Sequence, residues 1–221
     1  MKKDNKTFEE QLSRKFMESG IYKQQKDLIT ERRKTLKSGD NIVHLQYLGV
    51  FEDEDLQEIN QILKKAKLDL SSFDKSGIMT NSLESYTLIT YLVIYQPLII
   101  ELLKGLGTNA TWDIIKETIL FTRNKIKGKK FNKITSASVE EKDITFGLKV
   151  YLDENTGFNF ELKGNISDDI IGQSLDKVFD FLKDEKIKTS YQLPDFVKFS
   201  EKENKWIKID VMEEIRKKNK K

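Results

Sequence analysis

The sequence contains no cysteine and one histidine, His44. Disulfides, thiolate nucleophiles and thiolate metal sites are therefore excluded, and a lone histidine cannot assemble the usual zinc sets. No Gly-x-Ser-x-Gly elbow accompanies His44, so a serine triad lacks its nucleophile turn. His44 lies inside "IVHL" and reads as a structural residue of a strand. A Walker-type phosphate loop is missing as well. No catalytic residue, cofactor site or metal ligand is expected.

Long apolar runs are equally scarce. The best candidate, "TLITYLVIYQPLIIELL" at 87–103, is interrupted by Gln96, Pro97 and Glu101. It falls short of the ~20 apolar residues that cross a bilayer. Tyr86, Tyr91 and Tyr95 suit a pleated strand better than a lipid-facing helix, so a buried strand followed by a buried helix is expected, and no membrane partner. The start, "MKKDNKTFEEQ", has charge without an apolar core and does not read as a secretory signal. Together with the missing cysteine, this predicts a reducing, cytoplasmic location. The sequons at Asn5, Asn109 and Asn165 are then chance matches.

What the chain has in abundance is charge. Charged residues make up 34% of its 221 residues, but 39 Lys and Arg stand against 36 Asp and Glu. Net charge thus argues for no particular partner, and its distribution must decide. The length suits one domain with appendages. Three parts are expected: a helical arm at 1–39, an α+β core at 40–190, and a hairpin with a basic helix at 191–221.

In the arm, Thr7 and Glu10 form a capping box, Phe8, Leu12 and Phe16 repeat at a spacing of four, and Gly20 reads as a stop. A second helix, "YKQQKDLITERRKTLK", is expected to run to Gly39 with a thin stripe of Tyr22, Leu28, Ile29 and Leu36. Too little apolar surface is present for these helices to stand alone, so they must dock on the core or on a partner.

In the core, "NIVHLQYLGVF" at 41–51 reads as a strand, and the acidic run Glu52 to Asp55 as the first turn of a helix, where the dipole favours carboxylates. A polar loop at 71–85 leads to a strand at 86–95. Pro97 then opens a short helix, and "TWDIIKETILFTRNKIK" forms a second with Trp112, Ile115, Ile119 and Ile126 on one side. After Gly128, "KITSASVEE", "ITFGLKVYLDE" and "FNFELKG" read as antiparallel strands, the last two joined by a turn at 153–157. Ser167 caps a helix that buries Ile171, Leu175, Val178, Phe179 and Leu182. Pro194 closes the block; "FVKFSEKENKWIKID" reads as a terminal hairpin and "VMEEIRKKNKK" as a basic helix. The fold class predicted is α+β: a small, mostly antiparallel sheet packed by helices.

Two motif matches fail on context. Gly105-x-Gly107-x-x-Ala110 spells a loosened dinucleotide loop, but the second strand that the motif requires is not evident in 122–133, "TRNKIKGKKFNK". Glycine as a helix stop accounts for it. Pro194-Asp195 with Glu203-x-Lys205 spells a metal-dependent nuclease signature, yet Glu203 and Lys205 fall in the turn of the predicted hairpin instead of on a strand. The basic segment is more substantial. Arg123, Lys125, Lys127, Lys129, Lys130 and Lys133 cluster, and supply a contact surface for nucleic acid or an acidic partner as the second functional reading.

Residues 86–184 resemble, in layout, the small α+β modules found beside effectors in bacterial conflict and anti-phage systems. The likeness rests on the apolar strand–helix, "WDIIKETI", the strands "ITFGLKVYL" and "FNFELKG", and the closing helix "LDKVFDFL". It implies an adaptor with no catalytic residues. The leading expectation is a non-enzymatic protein–protein interaction module, an adaptor or accessory subunit with a protein partner.

Overall fold

The computed structural model describes residues 20–79, 89–105, 108–134, 139–162, 167–186 and 195–211, together with 213 and 216. The chain runs α1 (Gly20–Arg33), β1 (Ile42–Tyr47), α2 (Asp53–Lys64), β2 (Asp69–Asp74), β3 (Thr90–Ile94), α3 (Gln96–Leu103) and α4 (Thr108–Ile126). It continues through β4 (Lys130–Ile134), β5 (Val139–Asp143), β6 (Phe146–Tyr151), β7 (Gly157–Leu162), α5 (Asp168–Asp176), α6 (Val178–Lys186), β8 (Asp195–Ser200) and β9 (Lys205–Ile209).

The class is α+β, but the sheet is larger and more mixed than the sequence suggested. Seven strands lie in the order β2-β1-β3-β6-β7-β8-β9, and β4 and β5 form a separate two-stranded ladder. Within the large sheet, parallel pairs (β1–β2, β3–β6, β7–β8) alternate with antiparallel ones (β1–β3, β6–β7, β8–β9). The parallel pairs have a direct cause. Helical segments separate their members along the chain, and a parallel neighbour needs such a crossover.

Two strands were not legible. Residues 71–74, expected at the start of a polar loop, belong to β2, which pairs in parallel with β1 from Ile42↔Asp69 to Tyr47↔Asp74. Its sequence, DLSSFD, is polar because an edge strand need only bring Leu70 to the core. Residues 130–132, where no strand was evident, open β4 (Lys130–Ile134), which pairs with β5; the expected strand "KITSASVEE" is thus divided between the two, and 135–138 lie outside the described residues. The terminal hairpin continues the sheet, since β8 pairs in parallel with β7.

One core forms between the sheet and its helices. Val43 and Leu45, Leu92 and Ile94, Leu148 and Val150, and Phe158 and Phe160 meet side chains from α2 to α6. In α4, Trp112, Ile115, Ile119 and Ile126 are all buried as their spacing predicts. Asp53, Glu54 and Asp55 occupy the first turn of α2, and Asp55 accepts from the Glu52 N–H. Pro97 stands in the first turn of α3, and Gly105 follows that helix at φ 75°, a left-handed conformation that glycine adopts without steric cost.

Helix boundaries differ in places. Gly20 is helical and opens the described part of α1, the helix expected before it lies outside the described residues, and α1 ends at Arg33, short of Gly39. The helix capped by Ser167 breaks at Lys177 into α5 and α6. The expected Thr7 capping box, the Phe8, Leu12 and Phe16 stripe, Pro194 and most of the basic terminal helix lie outside the described residues.

Candidate functional site

The basic segment is one run in sequence, but the fold distributes it over a helix, a turn and a strand. Arg123 points inward, 1% exposed, with Nη1 2.7 Å from Asp168 Oδ1. Lys125 lies between Asp55 (2.7 Å) and Glu58 (3.1 Å), and its hydrogen bond holds the Asp55 carboxyl below the usual range. Lys130 pairs with Glu141 at 2.7 Å, and Lys129 donates to the Val50 carbonyl at 2.8 Å. Lys127 is exposed and Lys133 half-buried on β4. Much of this charge is therefore engaged within the protein. The acidic run at 52–55 serves both the helix start and Lys125.

The two motif matches have structural roles. Gly105 ends α3 just before α4, at the lip of a cleft of about 520 Å³ lined by Leu102, Leu103, Trp112, Lys116 and Phe179. Lys116 bridges Asp113 (2.9 Å) and Asp176 (2.7 Å) there. With Lys183 the cleft holds two lysines and two aspartates, which cancel formally and give a guest no net charge to read. In the nuclease-like match, Glu203 lies in the β8–β9 turn as expected, but Lys205 opens β9 instead of lying in the turn, and the two pair with each other at 2.8 Å. Among the described residues, no group of three His, Asp or Glu could hold a metal ion, and no helix is long and apolar enough to cross a membrane.

The arm helix α1 is held by polar bonds as well as by the half-buried Leu28 and Ile29. Arg32 Nη1 donates to the carbonyls of Asp74 and Ser76, both at 2.6 Å. Gln25 donates to the Gly77 carbonyl at 3.0 Å and accepts from the Met79 N–H at 2.8 Å. After the helix, the Lys37 N–H donates to Ser71 Oγ at 3.0 Å. Asp74 organises the receiving turn by accepting from the N–H groups of Gly49 and Ser76 and from the Ser76 hydroxyl. No residue of α1 is buried. At its start Ile21 is 52% exposed and Tyr22 is exposed too, whereas Leu28 and Ile29 are half-buried; Met79, whose N–H meets Gln25, is 59% exposed.

The sheet's second face carries a cluster that sequence reasoning missed. In "FGLKVY", alternation sends Phe146, Leu148 and Val150 to the helical core and so turns Lys149 and Tyr151 the other way. Tyr91 and Val93 of β3 pack there with Tyr151 and Phe196, and no described helix contributes to that cluster. His44 faces Val93 across the β1–β3 pair, and Lys149 faces Val93 on the other side. Asn159, which is buried, stands opposite Lys149. Burial lowers the His44 pKa and raises those of Tyr91 and Tyr151. It pushes the Lys149 ammonium down to about 8. No sequence signal announced this, because alternate strand positions bearing Lys are normally wet.

Compared with protein-family models, with curated proteins and with solved structures, the chain matches none.

Proposed function

We propose that the protein is a protein–protein interaction module, an adaptor or accessory subunit of the kind that residues 86–184 resemble in bacterial conflict systems. The observation that carries this reading is the exposed apolar start of the arm. α1 is fastened to the turn at 74–79 by Arg32 and Gln25, while Ile21, Tyr22 and Met79 are left in water. A helix that only completed a core would cover an isoleucine and a tyrosine along with its other apolar residues. Aromatic residues and Met are enriched where partners meet, and a pre-positioned helix binds with less ordering cost than a free one.

The test is a paired capture from the native host under cross-linking, comparing the wild type with Ile21→Asp and Met79→Asp. These positions are exposed, so melting should shift little. The expected result is a specific partner retained by the wild type and lost by both variants. Equal recovery from all three, with equal melting, would remove the arm from the interface.

A further inference from the structure

β3 and β6 are adjacent parallel strands in register from Thr90↔Phe146 to Ile94↔Val150, so both end at one edge of the sheet. Tyr95 follows β3 there and Tyr151 closes β6. Their rings stack with centroids 5.3 Å apart and planes within 14°, and the His44 ring meets Tyr95 edge-on at 5.2 Å. Tyr95 remains 44% exposed. The stack therefore offers an aromatic surface to solvent.

Lys149 stands two residues before Tyr151 on the same face, and its side chain leans towards Tyr91, four residues before Tyr95. Its Nζ lies 3.7 Å from the Tyr91 ring centroid, and Lys75 Nζ reaches the same ring at 4.6 Å. Among the described residues no carboxylate pairs with Lys149; burial alone accounts for its shifted titration. An ammonium withdrawn from water without a counter-charge is costly, and the ring quadrupole offsets only part of that cost. An anion delivered to this face would supply the missing charge.

An exposed aromatic stack on the same sheet face as a cation without a carboxylate is the pairing that single strands require. Every base has a π-face for the ring, and the backbone supplies the anion. In a duplex the bases are occupied with one another, so the ring would have nothing to hold. We propose that this face binds single-stranded nucleic acid, with a base on the Tyr95 ring and a backbone phosphate at Lys149. This places the contact away from the segment at 123–133, where Arg123, Lys125 and Lys130 already meet carboxylates.

The experiment is fluorescence anisotropy of the full chain with labelled oligouridylate, oligothymidylate and a duplex of equal length, across a salt series. Both single strands should bind more tightly than the duplex. Tyr95→Ala should weaken binding about 5- to 100-fold, the range for loss of one stacking ring, while Tyr95→Phe should retain it. Lys149→Met should flatten the logarithmic salt slope by about 0.7, one phosphate contact on a single strand. The combined change of Lys127, Lys129 and Lys130 to Gln should leave binding intact. In the wild type, the Lys149 side-chain resonance should move on adding oligouridylate, a readout independent of how any variant folds. Absence of binding at low salt, equal affinity for duplex, a stationary Lys149 resonance, or loss of binding in the triple Gln variant would each overturn the proposal. So would complete displacement by an acidic peptide with no effect of Tyr95→Ala, which would indicate simple charge exchange.

Discussion

The Lys149 ammonium lies 3.7 Å from the centre of the Tyr91 ring, and the Tyr91 hydroxyl in turn donates to Gln46 Oε1. Lys149 titrates near 8 against the usual lysine value of 10.5. Below about 8 both folded and unfolded chains hold the proton, and the fold carries the full cost of the buried charge. Between the two values only the unfolded chain holds it, so this group's contribution to stability rises with pH. Lys149→Met should therefore stabilise the protein more near pH 7 than near pH 10, by about 2 to 3 kcal/mol. Urea melts of both proteins at the two pH values measure it. An equal difference at both would show that burial does not shift this group.

Gly157 holds the stacked tyrosines in place. A Cβ built there would come within 2.9 Å of Tyr151 Cδ1 and Cε1, so Gly157→Ala must displace that ring. A loss of about 1 to 3 kcal/mol is expected, the range for overpacking, with a changed near-ultraviolet dichroism signal as Tyr151 leaves Tyr95. An unchanged spectrum would mean that the hairpin yields instead.

Arg123 and Asp168 should respond unequally to substitution. The arginine is buried and the aspartate half-exposed, and Arg123 Nε already lacks a hydrogen-bond acceptor. Asp168→Ala removes the carboxylate from a guanidinium that cannot reach water, and should cost about 2 to 3 kcal/mol. Arg123→Met fills similar space without the charge and should cost less. Chemical denaturation of the two variants gives the order; the reverse order would mean that Arg123 relies on its other contacts.

Release of the arm should be local. Arg32→Ala deletes two short bonds to backbone carbonyls, each worth about 1.5 to 3 kcal/mol for a charged donor at full burial and less at this half-buried site. Amide hydrogens of α1 should exchange about 10- to 100-fold faster, with those of β1 and β3 unchanged. Faster exchange throughout the sheet would make the arm part of the cooperative core.

Periodic elements were legible and pairings were not. Trp112, Ile115 and Ile119 identify α4 because a helix writes its buried face into one segment's spacing. The β6–β7 hairpin was legible for the same reason: its turn at 153–157 is local, and the Leu152 N–H closes on the Thr156 carbonyl. β2 was missed because what makes DLSSFD a strand is β1, a partner separated from it by a helix. The arm's polar fastening was missed because Arg32 and Asp74 meet only in the fold. Lys149 gave no sign of its burial, since alternation tells which face a side chain takes but not how wet that face is.

The strand order has a consequence for the chain as it leaves the ribosome. β1 receives β2 on one side and β3 on the other, and after that every strand of the large sheet joins at the same growing edge: β6, β7, β8, then β9. Each new strand meets a partner already synthesised, so assembly can follow translation from one end of the sheet to the other. A chain stalled before residue 195 would expose β7 as a raw edge, with Phe160 lacking the Trp206 ring that lies 4.9 Å away in the folded sheet. Such an edge, with its unpaired backbone groups and bared aromatic ring, invites pairing with other chains, so β8 and β9 act as the cover that keeps β7 from aggregation.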